Sequence, residues 1–230
     1  MRQPYTVDSI VHVLNRGTKK LPIYRQEGDL WRLFFSLYYL NSKDVPDKWI
    51  KELDKLNLSG TFVWPELWGK REPLVSILAF TILNNHFHLM LKEMREGGIK
   101  EFMHKFSMGY AKFINAKYDE SGSLFQGPFK SQTVQTDEYL RYLAVYIMVK
   151  NTFELFPEGG LEAATLDFDR AFEWAKTYPF SSFKNYATKE ESPIITKDIL
   201  GELFPEPKEF KSFAKDCILG RNTESPVFLD

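Results

Sequence analysis

The sequence predicts an α+β sandwich: an antiparallel sheet carrying helices on one face. Three observations carry this reading. Up to about residue 151, strand-like and helix-like segments follow one another in the order βα, ββ, α, β, α. Two adjacent β-branched and apolar runs are joined only at Asn84-Asn85, which makes them an antiparallel pair. The 230 residues are 43% hydrophobic and 16% aromatic, enough for a substantial core.

The elements follow in order. Residues 8–15 alternate weakly and read as a strand, which Asn15-Arg16-Gly17 ends as a turn. Residues 25–41 place Leu30, Trp31, Phe34, Phe35, Leu37 and Tyr38 at helical spacing. Residues 42–73 are polar, contain Pro46, Pro65 and Pro73, and read as a long loop holding a short helix. Residues 74–83 and 85–93 are the strand pair. Residues 97–118 form a helix with Ile99, Phe102, Met103, Phe106, Tyr110, Phe113 and Ile114 on one face. A loop with Gly and Ser follows, then a short strand at 131–136, then a helix capped by Asp137 that runs to about Asn151. At Pro157-Glu158-Gly159-Gly160 the texture changes. Helices at about 161–177, 195–204 and 207–217 read as a small appendage, so 1–156 is expected as the main domain and 157–230 as a helical C-terminal extension.

Composition excludes some classes. No apolar run approaches the ~20 residues that span a bilayer, so no membrane association is expected. The start, Met1-Arg2-Gln3-Pro4-Tyr5, lacks the apolar core of a signal peptide. A single cysteine, Cys217, leaves no internal disulfide and fits a reducing cytoplasm, the expected location. Net charge is −1, but Arg95, Lys100, Lys105, Lys112 and Lys117 fall within one segment, and a basic face on a neutral chain can follow a phosphate backbone.

The residues that carry chemistry centre on His86-Phe87-His88. Side chains alternate along a strand, so both imidazoles point one way while Phe87 points to the core. Two imidazoles two residues apart on a strand face can share a divalent cation. The helix at 137–151 adds Tyr139, Tyr142 and Tyr146, which share a face. Any one of them can be simple aromatic core. A phenol held over a metal-bound phosphodiester can instead attack phosphorus as a covalent nucleophile. His12, on the first strand, reads as structural and His104 as solvated. Arg16 is presented at the sheet end.

These segments resemble a family. Thr81-Ile82-Leu83-Asn84-Asn85-His86-Phe87-His88-Leu89-Met90-Leu91 resembles the His-x-His strand of single-tyrosine HUH transposases, and more narrowly of the REP-associated tyrosine transposase branch. His12-Val13-Leu14-Asn15-Arg16-Gly17 resembles the family's first strand. Gly122-Ser123-Leu124-Phe125-Gln126-Gly127-Pro128-Phe129-Lys130-Ser131 resembles its loop before the last strand. Tyr139-Leu140 and Tyr146-Ile147 resemble its tyrosine helix, and Tyr178 through Phe213 its C-terminal segment. The resemblance runs from about 8 to 217, in the family's order.

The resemblance implies a ferredoxin-like HUH endonuclease fold, Mg2+ or Mn2+, and cleavage of single-stranded DNA next to a hairpin. It implies a homodimer, with a monomer left open for the branch that carries the tail. Carried over by position, His86 and His88 are metal ligands and catalytic, and Tyr146 is the nucleophile, forming a 5′-phosphotyrosine. Tyr139 and Tyr142 are then expected to pack on the 97–118 helix. Arg16, Lys130 and Lys150 are the DNA-binding candidates. The family places an amide four residues after the tyrosine. Here that position is Lys150, and Asn151, one residue later, is the candidate third metal ligand, given some rotation of the helix end. Pro128 stands where the family has Arg. These two departures favour a second reading, a domesticated protein that binds hairpin nucleic acid with little or no cleavage. A nucleotide hydrolase of the histidine-triad kind needs a third histidine where this chain has Met90.

Overall fold

β1 (Ile10–Arg16) is an interior strand, and its two neighbours define the sheet. It pairs antiparallel with β3 (His86–Glu93) on one side and β4 (Lys130–Thr133) on the other. β2 (Val75–Ile82) pairs antiparallel with β3, which gives the strand order β2-β3-β1-β4. α1 (Glu27–Tyr39) joins β1 to β2, with α2 (Trp49–Lys55) in the long insertion, and α3 (Gly98–Tyr118) joins β3 to β4. The chain therefore runs βαββαβ with a four-stranded antiparallel sheet, the ferredoxin-like arrangement. The computed structural model describes residues 5–220.

α1 and α3 cover one face. Val11 and Val13 of β1 and Phe87, Leu89 and Leu91 of β3 pack there with Leu33 and Leu37 of α1 and Phe102 and Phe106 of α3. The start of α3 is held by a buried carboxylate: Glu93 accepts from the Gly98 N–H at 3.1 Å and the Ile99 N–H at 2.8 Å, where a helix terminus favours negative charge. Gly98 is required there, since a Cβ would lie 2.3 Å from the Leu74 carbonyl oxygen.

The second face differs from expectation. Helices were expected on one face only, yet the remaining chain covers the other. α4 (Asp137–Val145) passes into a π-helical turn (Tyr146–Lys150) and α5 (Asn151–Phe153). The single helix expected at 161–177 is two, α6 (Gly160–Leu166) and α7 (Phe168–Ala175), interrupted at Asp167, whose side chain caps α7 by accepting from the Arg170 N–H. α8 (Phe183–Ala187), which sequence patterning did not predict, precedes α9 (Asp198–Leu203) and α10 (Pro207–Ile218). Leu143, Ile147 and Phe153 share one buried cluster with Phe168, Phe172, Phe183 and Phe210 and with Leu78, Ala79 and Met90 of the sheet. The boundary expected at 156 falls inside this packing.

The tail also covers the outer edge of β2. Ile82 N–H donates to the Phe180 carbonyl and Ser182 N–H to the Phe80 carbonyl, both at 2.9 Å, and Thr196 N–H reaches the Ile77 carbonyl at 3.0 Å. Covering that edge removes unpaired backbone groups that would otherwise template association. Among the described residues no helix is long and apolar enough to cross a membrane.

Candidate active site

Strand register places the candidate residues on the second face. Arg16 lies opposite His86, Leu14 opposite His88 and His12 opposite Met90. Opposed residues of an antiparallel pair share a face, so His12, Arg16, His86 and His88 all project toward the tyrosine helix. β4 adds Lys130 opposite Leu14 and Gln132 opposite His12, and β2 adds Thr81 opposite His88. The rings of His86 and His88 lie 5.0 Å apart. Tyr146 stands over them, edge-on to His88 at 5.4 Å and to His12 at 6.1 Å. Lys150 Nζ sits 4.9 Å from the Tyr146 ring centre and pairs with Glu154 at 3.0 Å.

The helix end is where local structure changes the reading. In a regular α-helix Lys150 would be the residue one turn below Tyr146. The π turn inserts one residue, and the Asn151 N–H bonds to the Tyr146 carbonyl five residues back. Asn151 thereby takes the backbone partner that a regular helix would give Lys150. It is 1% exposed, and its Nδ2 has no hydrogen-bond partner. The turn is tied to the sheet at Thr81, whose Oγ1 donates to the Ile147 carbonyl at 2.7 Å and lies 2.8 Å from Ser181 Oγ, which in turn accepts from Thr152 Oγ1 at 3.1 Å.

The two ligand candidates are held differently. Asn85 Nδ2 donates to the Lys20 carbonyl at 3.0 Å, which turns its Oδ1 to His86 Nδ1 at 2.6 Å. An amide oxygen only accepts, so His86 Nδ1 carries a proton. His88 Nδ1 lies 2.9 Å from His12 Nε2, and its Nε2 is buried with no hydrogen-bond partner. Burial lowers the pKa of His12 from 6.5 to about 4. Burial, with nearby His12, His86, Arg16 and Lys150, holds His88 well below 6.5. Both rings are neutral at pH 7.

Among the described residues no cluster of three or more His, Cys, Asp or Glu side chains is placed to hold a metal ion. The donors on the strand are two imidazoles, and a buried imidazole nitrogen with no partner invites a ligand. Such a set fits a divalent cation that keeps positions open for water and phosphate oxygens.

The structure thus brings Arg16, Lys130, His86, His88, Tyr146 and Lys150 to one face. One expectation is corrected. Tyr139 and Tyr142 do not pack on α3, which lies beyond the sheet: Tyr139 packs against the cluster of the second face, and Tyr142 on Phe213 of α10 at 5.3 Å. His12, read as structural, is a direct neighbour of His88. It shares strand parity with Arg16, a signal that becomes readable only once the register is known. Asn85 and Thr81 were missed for the same reason. A groove of about 850 Å³ lined by Met103, Met108, Leu124 and Phe129 runs along α3 and contains none of these histidines.

Comparison with known proteins bears on the same segment. Residues 70–150, which include β2, β3, α3, β4 and the tyrosine turn, match the family described as "Transposase IS200 like". Among solved structures, the chain is similar to "the REP associates tyrosine transposase bound to a REP hairpin", with 13% identity and a TM-score of 0.41, over 86% of this chain and 91% of that one. No curated protein sequence matches it.

Proposed function

We propose that this chain, IS200-like transposase sequence over residues 70–150, is a DNA strand transferase that cuts one strand beside a hairpin through a 5′-phosphotyrosine on Tyr146. The observation that carries the reading is the placement of the Tyr146 ring 5.4 Å from His88, whose buried Nε2 has no partner. His86 and His88 would hold Mg2+ or Mn2+ through their Nε2 atoms, with Asn151 as third ligand, and the bound cation would polarise the scissile phosphate.

The protein's own groups supply the rest. The Tyr146 oxygen attacks the scissile phosphorus, the bond from phosphorus to the 3′ oxygen breaks, and the phenolic proton is delivered, in net balance, to that departing oxygen. One strand end becomes a free 3′-OH and the other a phosphotyrosine, so a second 3′-OH can reverse the exchange. A phenol has a reference pKa of about 10 and is neutral at pH 7. The Lys150 ammonium beside the ring favours the phenolate as it develops. Arg16, Lys130 and Lys150 rim the site with positive charge and would take backbone phosphates, which makes hairpin binding weaken steeply with salt.

The test is to incubate the protein with an end-labelled hairpin oligonucleotide and Mn2+. A covalent adduct that resists SDS is expected, and Tyr146→Phe, which removes one oxygen, should abolish it while retaining the fold and hairpin affinity. An adduct that persists in Tyr146→Phe overturns the assignment of the nucleophile. Hairpin binding without any adduct in the unmodified protein supports the second reading, a binding protein, which the Lys150–Glu154 ion pair and Pro128 favour.

A further inference from the structure

We propose that His12 is a positioning residue that fixes the tautomer and ring orientation of His88 for metal binding. The proposal rests on the metal-site reading above and adds a residue to it.

The two candidate ligands are oriented by different partners. His86 is oriented by an oxygen, and an oxygen settles which ring nitrogen carries the proton. His88 is oriented by another imidazole, His12, across 2.9 Å, and either ring could be the donor. Only one arrangement lets His88 act as a ligand. Its Nε2 must keep the lone pair, so the proton must sit on Nδ1 and be donated to His12 Nε2. His12 then carries its own proton on Nδ1. In the opposite arrangement His88 Nε2 bears a buried proton with no acceptor; in this one the buried proton without an acceptor is on His12 Nδ1, so a cation on His88 Nε2 is what selects it.

The packing is built for this contact. His12 and His88 are both completely buried. They lie on adjacent strands, diagonal to each other and two residues apart in register, with rings 5.1 Å apart and inclined by 22°. A ligand histidine usually donates its second N–H to a carboxylate, carbonyl or water, and loss of that partner costs roughly 10- to 100-fold in metal affinity. His12 occupies that position here. Gln would place an amide oxygen at about the depth of the His12 Nε2 atom, whereas Leu fills the space without an acceptor.

The first measurement needs no variant: long-range 1H–15N correlation of the histidine rings in the protein saturated with diamagnetic Mg2+ at pH 7. A proton on His88 Nδ1 is expected, and a proton on Nε2 overturns the proposal. The second is Mn2+ binding, read from loss of the free-ion electron paramagnetic resonance signal. His88→Ala should abolish tight binding at the site, His12→Leu should weaken it about 10- to 100-fold, and His12→Gln should restore most of the loss. Binding lost in His88→Ala but unchanged in folded His12→Leu overturns the role of His12 alone. Binding unchanged in both overturns the metal reading, and the proposal with it. If His12→Leu does not fold, failure of His12→Gln to bind Mn2+ while folded also counts against the proposal.

Discussion

The two faces of one sheet do opposite work. On the α1–α3 face the strands present Val11, Val13, Phe87, Leu89 and Leu91, an apolar layer with the Glu93 carboxylate at its edge holding the start of α3. On the other face the same strands, offset by one residue, present His12, Arg16, His86, His88 and Thr81 beneath the tyrosine helix. Alternation alone creates the difference. The first face resists substitution through packing. The second holds buried polar groups whose value lies in which atoms they keep aimed at one point. Tyr146→Phe should therefore remove chemistry without unfolding, and the predictions below test whether the faces separate as cleanly in other respects.

The largest stability effect belongs to the dry face. Phe106 of α3 is completely buried against Phe87 and Phe102, with ring centroids 5.2 and 5.6 Å away. Phe106→Ala should cost about 3–5 kcal/mol, from lost transfer energy plus the cavity. Urea denaturation reads the loss. Cleavage per folded molecule should stay near the unmodified value, and a selective fall in activity at unchanged folded fraction would show that the faces are coupled.

The next effect should belong to the histidine face alone. His12 and His88 are neutral in the fold, with pKa values lowered by burial, while in the unfolded chain each returns to 6.5. Below pH 6.5 the unfolded state binds protons that the folded state refuses, so stability falls as pH falls. For His12 the fall runs from pH 6.5 to about 4, where the folded protein also takes the proton. Above 6.5 neither group contributes. The urea midpoint should drop between pH 7 and pH 5, and His12→Leu should flatten part of that slope. A midpoint flat across this range would show that these rings are not buried as neutral groups.

How much of this was legible follows from the same contrast. The strand pair, α1 and α3 were readable because each has one apolar face, and the sequence period shows which residues share it. The segment from Leu143 to Val149 is buried at every position, so its pattern gives a helix but not a direction. That is why Tyr139 and Tyr142 were expected on the wrong partner. The coverage of β2 by Phe180–Ser182 joins residues about a hundred positions apart, which no local pattern encodes. The π turn is a change of hydrogen-bond partner at Asn151, and Tyr146-Ile147-Met148-Val149-Lys150 carries no mark of it. The His-x-His pair and Tyr146 were legible as types; Asn85, Thr81 and His12, which orient them, were legible only in three dimensions.

Thr81 gives the smallest and sharpest test, because it stands on the histidine face yet touches neither imidazole pair by a hydrogen bond. Its hydroxyl donates to the Ile147 carbonyl inside the π turn and accepts from Ser181, joining β2 and the C-terminal segment to the helix that carries Tyr146. Val has nearly the same shape and no hydroxyl. Thr81→Val should cost about 1–3 kcal/mol, since the Ile147 carbonyl and the Ser181 hydroxyl lose a buried partner. If the tie also sets where Tyr146 stands, cleavage should fall by more than the folded fraction does, with hairpin affinity unchanged. Thr81→Ser keeps the oxygen and should restore both. Loss of stability with full cleavage per folded molecule would assign Thr81 to packing alone. No loss of either would mean that the π turn is held by the helices around it and not by the sheet beneath.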